Sequence, residues 1–278
     1  MKYCDLHIHS ICSDGTFSPK EIASIMKAAN SAAFALTDHE TLDGIKEARL
    51  AALSLGMDFV SGIEIACDYN GNELHIIGLF IDESSETLIN TLKDQAKRRE
   101  ARNEAICKKL KAIGINVNLA NFSDSSIINR SHFAKAICEH GLASTLREAF
   151  DRYLDEGRPA YVRSERLSAK DAISAIKAAG GIAILAHLST YKQADPFKIA
   201  SELKRFGLDG IEGLYFEYSK DYSEKCIAFA KENGLLISGG SDFHGENKVN
   251  APTVGCRNGE HIPYSVYEEL YRYWSRLC

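Results

Sequence analysis

Residues 4–19 read CDLHIHSICSDGTFSP, an apolar strand-like run that ends on His7 and His9 and is followed at once by Asp14 and Gly15. Residues i and i+2 of a strand share one face, so both imidazoles can point to one side and bind one ion. Directly beyond, Ser18 stands as a helix cap, Pro19 at the first turn and Glu21 three residues after the serine, a full helix-start signal. Strand, loop and helix follow one another within this one segment.

The same unit recurs outward along the chain. Apolar, β-branched runs appear at AFALTDH (33–39), DFVSGIEIAC (58–67), ELHIIGLFI (73–81), GIAILAHL (181–188), GIEGLYF (210–216) and LLISGGSDFH (235–244), with helical patterns between them. Strands alternating with helices predict a parallel sheet. Ser168 and Asp171 open the helix of SAKDAISAIKAAGG, and Gly180 and Gly181 close it. From about residue 85 to 165 the alternation stops and the chain reads as helix after helix, most simply a helical insert on one loop of an α/β barrel. Residues 1–84 and 166–278 then form the barrel and 85–165 the insert. The helical pattern YSVYEELYRYWSRL near the end is expected on the barrel's outside.

Unusual residues gather at the strand ends. His7 and His9 end the first strand, Asp38 and His39 the second, Glu64 closes the third, His75 sits in the fourth, His187 ends the fifth, and Asp242 with His244 ends the last. Parallel α/β folds collect chemistry at the carboxyl ends of their strands, where the loops converge. Six of the nine histidines, with Asp14, Glu64 and Asp242, make a nitrogen and carboxylate set without thiolate, suited to Zn²⁺, Mn²⁺ or Fe and too large for one ion. Each group has a plain alternative. A lone histidine such as His75 or His187 is more often a hydrogen-bonded core or surface residue, and the Asp-x-His of SDFHG could be an Asx turn. Recurrence at strand after strand decides for metal, because burying so many ionisable groups together without a cation is very costly.

Composition narrows the class further. A length of 278 residues, 45% hydrophobic, allows one large domain with a sizeable insert, and no run approaches the roughly 18–20 apolar residues of a membrane span. The chain reads as soluble and cytoplasmic, with no membrane partner. Its eight cysteines are scattered without a C-x-x-C spacing, so they read as reduced, mostly core thiols, including Cys12 and Cys67 beside ligand motifs. A formal charge of −5 argues against long nucleic acid as a partner.

DLHIHSICSDGT, ALTDHET, GIEI, LHIIG, AHL and GGSDFHG, in this order, resemble the PHP (polymerase and histidinol phosphatase) phosphoesterases. The insert and the YLDEGRPAYV that follows it resemble the subgroup of 3′,5′-nucleoside bisphosphate phosphatases and RNA-trimming exonucleases. The resemblance implies a distorted seven-stranded (β/α)7 TIM-like barrel holding two to three divalent ions. By position, His7, His9, Glu64 and Asp242 would hold the first ion, Glu64, His75 and His187 the second, and Asp14, His39 and His244 the third. Gly15 would let the chain turn so that Asp14 reaches the cluster, and Asp38 would orient a neighbouring histidine. Ions bridging a water would supply hydroxide near neutral pH for in-line attack on phosphorus, so Glu64 and Asp242 rank as catalytic.

Substrate choice is expected to lie in the insert. Arg99 and Arg102 share a helical face, and the matching basic residues of the subgroup bind a second phosphate. NRSHFA resembles a subgroup motif ending in Arg-Pro-His, which would make Arg130 and His132 phosphate or leaving-group contacts, with His132 catalytic. The arginines could equally form a solvated face paired with Glu100 or Glu104, and His132 could be an ordinary helix-start residue. Ser131 and Leu188 stand where the subgroup has proline, leaving a cyclic phosphodiester, histidinol phosphate or a short RNA 5′ end as alternative substrates. Tyr191, Tyr215 and Tyr218 could stack on a base or simply pack. A non-catalytic regulatory PHP module is the rival of another class, and the full ligand set argues for an enzyme.

Overall fold

The computed structural model describes residues 2–119, 127–163, 165–191, 195–247, 256–257 and 260–277. By contacts the chain divides into two compact units, Met1–Leu92 with Leu167–Cys278, and Lys93–Arg166.

The first unit is built on one sheet. Its strands are β1 (Tyr3–Asp5), β2 (Ser31–Leu36), β3 (Asp58–Tyr69), β4 (Asn72–Leu79), β5 (Leu167–Ser168), β6 (Ile182–Leu185), β7 (Gly210–Tyr215) and β8 (Leu236–Gly240). Their order is β1-β2-β3-β4-β6-β7-β8, with β5 paired to β3 off this path. Backbone bonds also run between the first strand and the last: Leu6 N–H donates to Gly239 O at 3.0 Å and His9 N–H to Phe243 O at 2.9 Å. Helices α1 (Pro19–Ala28), α2 (Ile45–Ser54), α6 (Ala169–Ala178), α7 (Pro196–Leu203) and α8 (Lys220–Asn233) connect the strands. Ser18 and Glu21 form a reciprocal capping box on α1, and Ser168 accepts from Asp171 N–H to cap α6.

Strand burial follows from helices covering the sheet. In β2, Ala33 and Ala35 join a cluster with Leu6, Ile77 and Ile184, while Phe34 and Leu36 pack with Ile22 and Met26 of α1 and Ala48 of α2. Both faces are apolar, as buried parallel strands require.

Three expectations need correction. The sheet is not wholly parallel: β4 runs antiparallel to β3 and β6. Tyr69 pairs with Asn72, so only Asn70 and Gly71 join the two strands, too few for the crossover a parallel pair needs. Their φ values of 54° and 84° are the left-handed geometry of a tight hairpin, and the Asn-Gly dipeptide is its sequence signal. Glu64 does not close β3 but lies inside it. Finally, the last helix, α9 (Tyr264–Trp274), does not lie along the outside. Its end residues bond Lys2 O, Gly180 O, Asp58 and Asp209, all at or before the starts of strands, and Leu270 is buried in the cluster of Leu6 and Ile77. It covers the end opposite the ligand-bearing loops.

The second unit packs Ile106 and Leu110 of α3 (Glu86–Ala112) against Phe133 and Ile137 of α4 (Arg130–Glu139). Ala149 at the end of α5 (Leu146–Ala149) and Leu154 in the π-helical turn that continues it complete this core. The two units divide inside α3 rather than at residue 84. Among the described residues no helix is long and apolar enough to cross a membrane, and no disulfide is formed.

Candidate metal centre

The sheet delivers its ligand-type side chains to one place. His7 and His9 lie just beyond β1, His39 beyond β2, His187 beyond β6, and Asp242 and His244 beyond β8. Because β4 is reversed, His75 near its start reaches the same end, opposite Ala66 and diagonal to Glu64. Glu64 is 1% exposed and meets five imidazoles. Its Oε1 is 2.9 Å from His75 Nδ1 and from His187 Nε2, and its Oε2 is 3.1 Å from His39 Nδ1, 3.2 Å from His9 Nε2 and 3.4 Å from His7 Nε2.

The spacing around His7 and His9 suits a cation. His7 Nε2 and His9 Nε2 are 3.1 Å apart, and Asp242 Oδ1 is 3.5 and 3.3 Å from them. A tetrahedral ion with ligands at about 2.0–2.1 Å sets those ligands about 3.3 Å from one another. Glu64 Oε2 completes the set at 3.2 and 3.4 Å. His7 Nδ1 donates to Glu212 Oε1 at 2.9 Å, since a carboxylate only accepts, which leaves Nε2, facing Asp242 and Glu64, as the ring atom able to bind an ion. His9 Nδ1 is buried without a hydrogen-bond partner, a polar atom that an adjacent ion would explain. The donor set therefore fits metal.

Two further groupings adjoin this one. His9, Asp14, His39 and His244 converge, with Asp14 Oδ1 3.2 Å from His244 Nε2 and Oδ2 3.8 Å from His39 Nε2. His39, Glu64 and His75 form the other. His39 thus stands between Asp14 and Glu64, presenting one ring nitrogen to each.

Charge in the centre is strongly coupled. Burial opposes protonation of His7, yet Glu64, Glu212 and Asp242 raise its pKa well above the ordinary range. His9 and His75 are likewise pushed up against burial, to about 9 and about 10, by Asp242 and Glu64 and by Glu64 and Glu73. Burial instead pushes His39 down to about 3. Burial alone would raise Asp14 and Glu64, but the surrounding histidines, His39 first, hold both well below the carboxylate range. The negative charge that holds protons on these rings also attracts a divalent cation, and the two compete for the same lone pairs.

Local backbone geometry is part of the site. His187 (φ 27°) and Asp242 (φ 51°) adopt left-handed conformations uncommon for side chains with a Cβ. Each is held by its N–H, His187 to Glu212 Oε2 at 2.6 Å and Asp242 to His7 O at 2.9 Å. Gly15 stands where the chain turns as expected, its N–H donating to Ser10 O at 2.9 Å; its φ is not left-handed, and a Cβ there would lie 2.4 Å from His9 O, so glycine is required by close backbone approach.

Asp38 also departs from expectation. It binds no histidine; its oxygens accept from Ser10 N–H and Oγ–H at 2.7 and 2.6 Å and from Ser13 Oγ–H at 2.6 Å, tying down the loop that carries Asp14. Sequence reading missed Glu212, whose signal was a charge inside the apolar run GIEGLYF, and Asp5, which accepts from Ser241 N–H and Oγ–H beside Asp242. Tyr215 and Tyr218 are buried, and Tyr215 donates to Asp242 Oδ2 at 2.9 Å; Tyr191 donates to Ala186 O and accepts from His75 N–H. Tyr191 and Tyr215 brace the centre, and Tyr218 packs edge-on against Tyr215.

The expected substrate residues Arg99, Arg102, Arg130 and His132 all belong to the second unit. Arg102 donates to Asn103 Oδ1 from Nε and Nη2, and Arg130 lies over the Phe150 ring. His132 is the N3 residue of α4, and its Nδ1 accepts from Asn129 N–H in a capping box, so the helix-start role is real.

The PHP domain matches residues 5–237, and the chain belongs to that family. A 5′-3′ exoribonuclease of Haemophilus influenzae is 36% identical over 247 residues, covering 87% of this chain and 90% of that protein. A 3′,5′-nucleoside bisphosphate phosphatase of Chromobacterium violaceum is 33% identical over 267 residues, covering 94% and 92%. The solved structure of an amidohydrolase from Chromobacterium violaceum, with bound sulfate and no metal, superposes with a TM-score of 0.85 at 32% identity, covering 97% and 96%. The chain is a hydrolase of phosphate esters of the PHP family, and its side-chain groupings could hold metal.

Proposed function

We propose that the chain removes the 3′-phosphate from a 3′,5′-nucleoside bisphosphate or a closely similar small nucleotide. The observation that carries the reading is one buried carboxylate, Glu64, in contact with five imidazoles at the end of the sheet. Near full-length similarity to the Chromobacterium phosphatase favours the bisphosphate. The bonds between β1 and β8 support reading the sheet as the distorted barrel of the family.

His7, His9, Glu64 and Asp242 would hold one ion, Glu64, His75 and His187 a second, and Asp14, His39 and His244 a third, from Mn²⁺, Fe or Zn²⁺. Bound there, such ions supply Lewis-acid charge and an acidified water. Glu64 fixes the two sides of the centre relative to each other, and Asp242 is held by Tyr215 so that one oxygen faces His7 and His9. In the insert, Arg99, Arg102 and Arg130 would receive the second phosphate, and His132 would contact the leaving group. The insert would thereby select substrate.

A second reading, trimming of short RNA from its 5′ end, is favoured by the 36% identical Haemophilus relative. Phosphate or nucleotide release from Mn²⁺-loaded protein decides between them on adenosine 3′,5′-bisphosphate, a 5′-phosphorylated dinucleotide, a cyclic ribose phosphate and histidinol phosphate. Preference for the bisphosphate, lost when the three arginines are neutralised, is the expected result; preference for the dinucleotide establishes the second reading instead.

A further inference from the structure

Glu212 is a carboxylate of β7 with no exposed surface, in a run otherwise apolar. Its two oxygens serve two different ligand-bearing segments. Oε1 accepts from His7 Nδ1–H at 2.9 Å, and Oε2 accepts from the backbone N–H of His187 at 2.6 Å. His187 has the left-handed φ of 27°, so that bond holds a strained residue in place.

We propose that Glu212 is a positioning residue that fixes the His7 tautomer and the His187 backbone together, coupling ion retention at the two positions those histidines serve. The inference rests on the ligand assignment proposed above.

Both partners are donors, and only a carboxylate offers two acceptors at that spacing. A glutamine in its place carries one oxygen and one NH2 group. If the oxygen faces His7, the NH2 meets the His187 N–H, donor against donor. If it faces His187, the NH2 can be accepted only by a deprotonated His7 Nδ1, which moves the ring proton to Nε2 and removes the lone pair that faces Asp242 and Glu64. Either arrangement weakens a ligand without removing one.

The test compares wild type with Glu212→Gln, each loaded with Zn²⁺, by ¹H–¹⁵N spectra of the histidine rings and by zinc content after dialysis. The His7 signal is assigned by its loss in His7→Gln. In wild type a downfield, slowly exchanging His7 Nδ1–H is expected. Glu212→Gln should lose or shift that signal and weaken zinc retention about 10–100-fold. A packing role alone would leave the ring proton where it was. Unchanged spectra and retention in a folded Glu212→Gln overturn the inference while leaving the metal centre intact. A wild type that retains no zinc overturns the ligand assignment itself. Should the variant fail to fold, a wild-type His7 carrying its proton on Nε2 is sufficient to refute the proposal.

Discussion

Asp242 shows how much one residue carries at this site. Its backbone is left-handed, its N–H is bonded to His7 O, one carboxylate oxygen faces His7, His9 and His244, and the other accepts from Tyr215. Asp242→Ala or His9→Ala should fold and lose more than about a hundredfold of kcat, since loss of an outer partner alone costs 10–100-fold. Full phosphatase activity in either variant would sink the metal mechanism. Two residues earlier, a Cβ on Gly240 would lie 2.2 Å from His7 Cβ, backbone-borne atoms that cannot swing aside. Gly240→Ala should therefore destabilise by roughly 2–3 kcal/mol, read as a fall in chemical-denaturation midpoint. At this scale the sequence showed the six histidines with Asp14, Glu64 and Asp242, because ionisable residues at strand ends stand out, yet it passed over Glu212 inside GIEGLYF, which bonds two of those histidines. It misassigned Asp38, because adjacency to His39 says nothing of which way a carboxylate turns.

At the scale of the element, helix boundaries were the most readable feature. Ser18 with Glu21 and Ser168 with Asp171 mark α1 and α6 by local bonds alone. Strand direction was not readable from apolar runs, since a strand buried between neighbours looks alike whichever way it runs. The deciding signal was Asn70-Gly71. At Gly71 (φ 84°) a Cβ would meet nothing within 4 Å, so Gly71→Ala isolates backbone conformation from packing. It should cost about 1 kcal/mol and leave activity unchanged. A loss well above that, or a change in kcat, would show that the hairpin turn does more than reverse the chain.

Across the whole molecule, buried carboxylates and imidazoles from segments as distant as residues 7 and 244 share one end of the sheet. A cation bound only in the folded state stabilises it by linkage. Chelation should accordingly lower the Tm by several degrees, and Mn²⁺ should restore it; a Tm indifferent to chelator would mean the cluster is held together without ions. Sequence alone determined the histidines and carboxylates gathered at the strand ends, the helix caps and the family, because these depend on residue identity and on spacings of a few residues. Only the tertiary structure decided that β4 is reversed, that α9 covers the far end, and that Glu212, Asp5 and Tyr215 brace the ligands. Those contacts join residues far apart in sequence, and their geometry exists only once the sheet has brought the strands together.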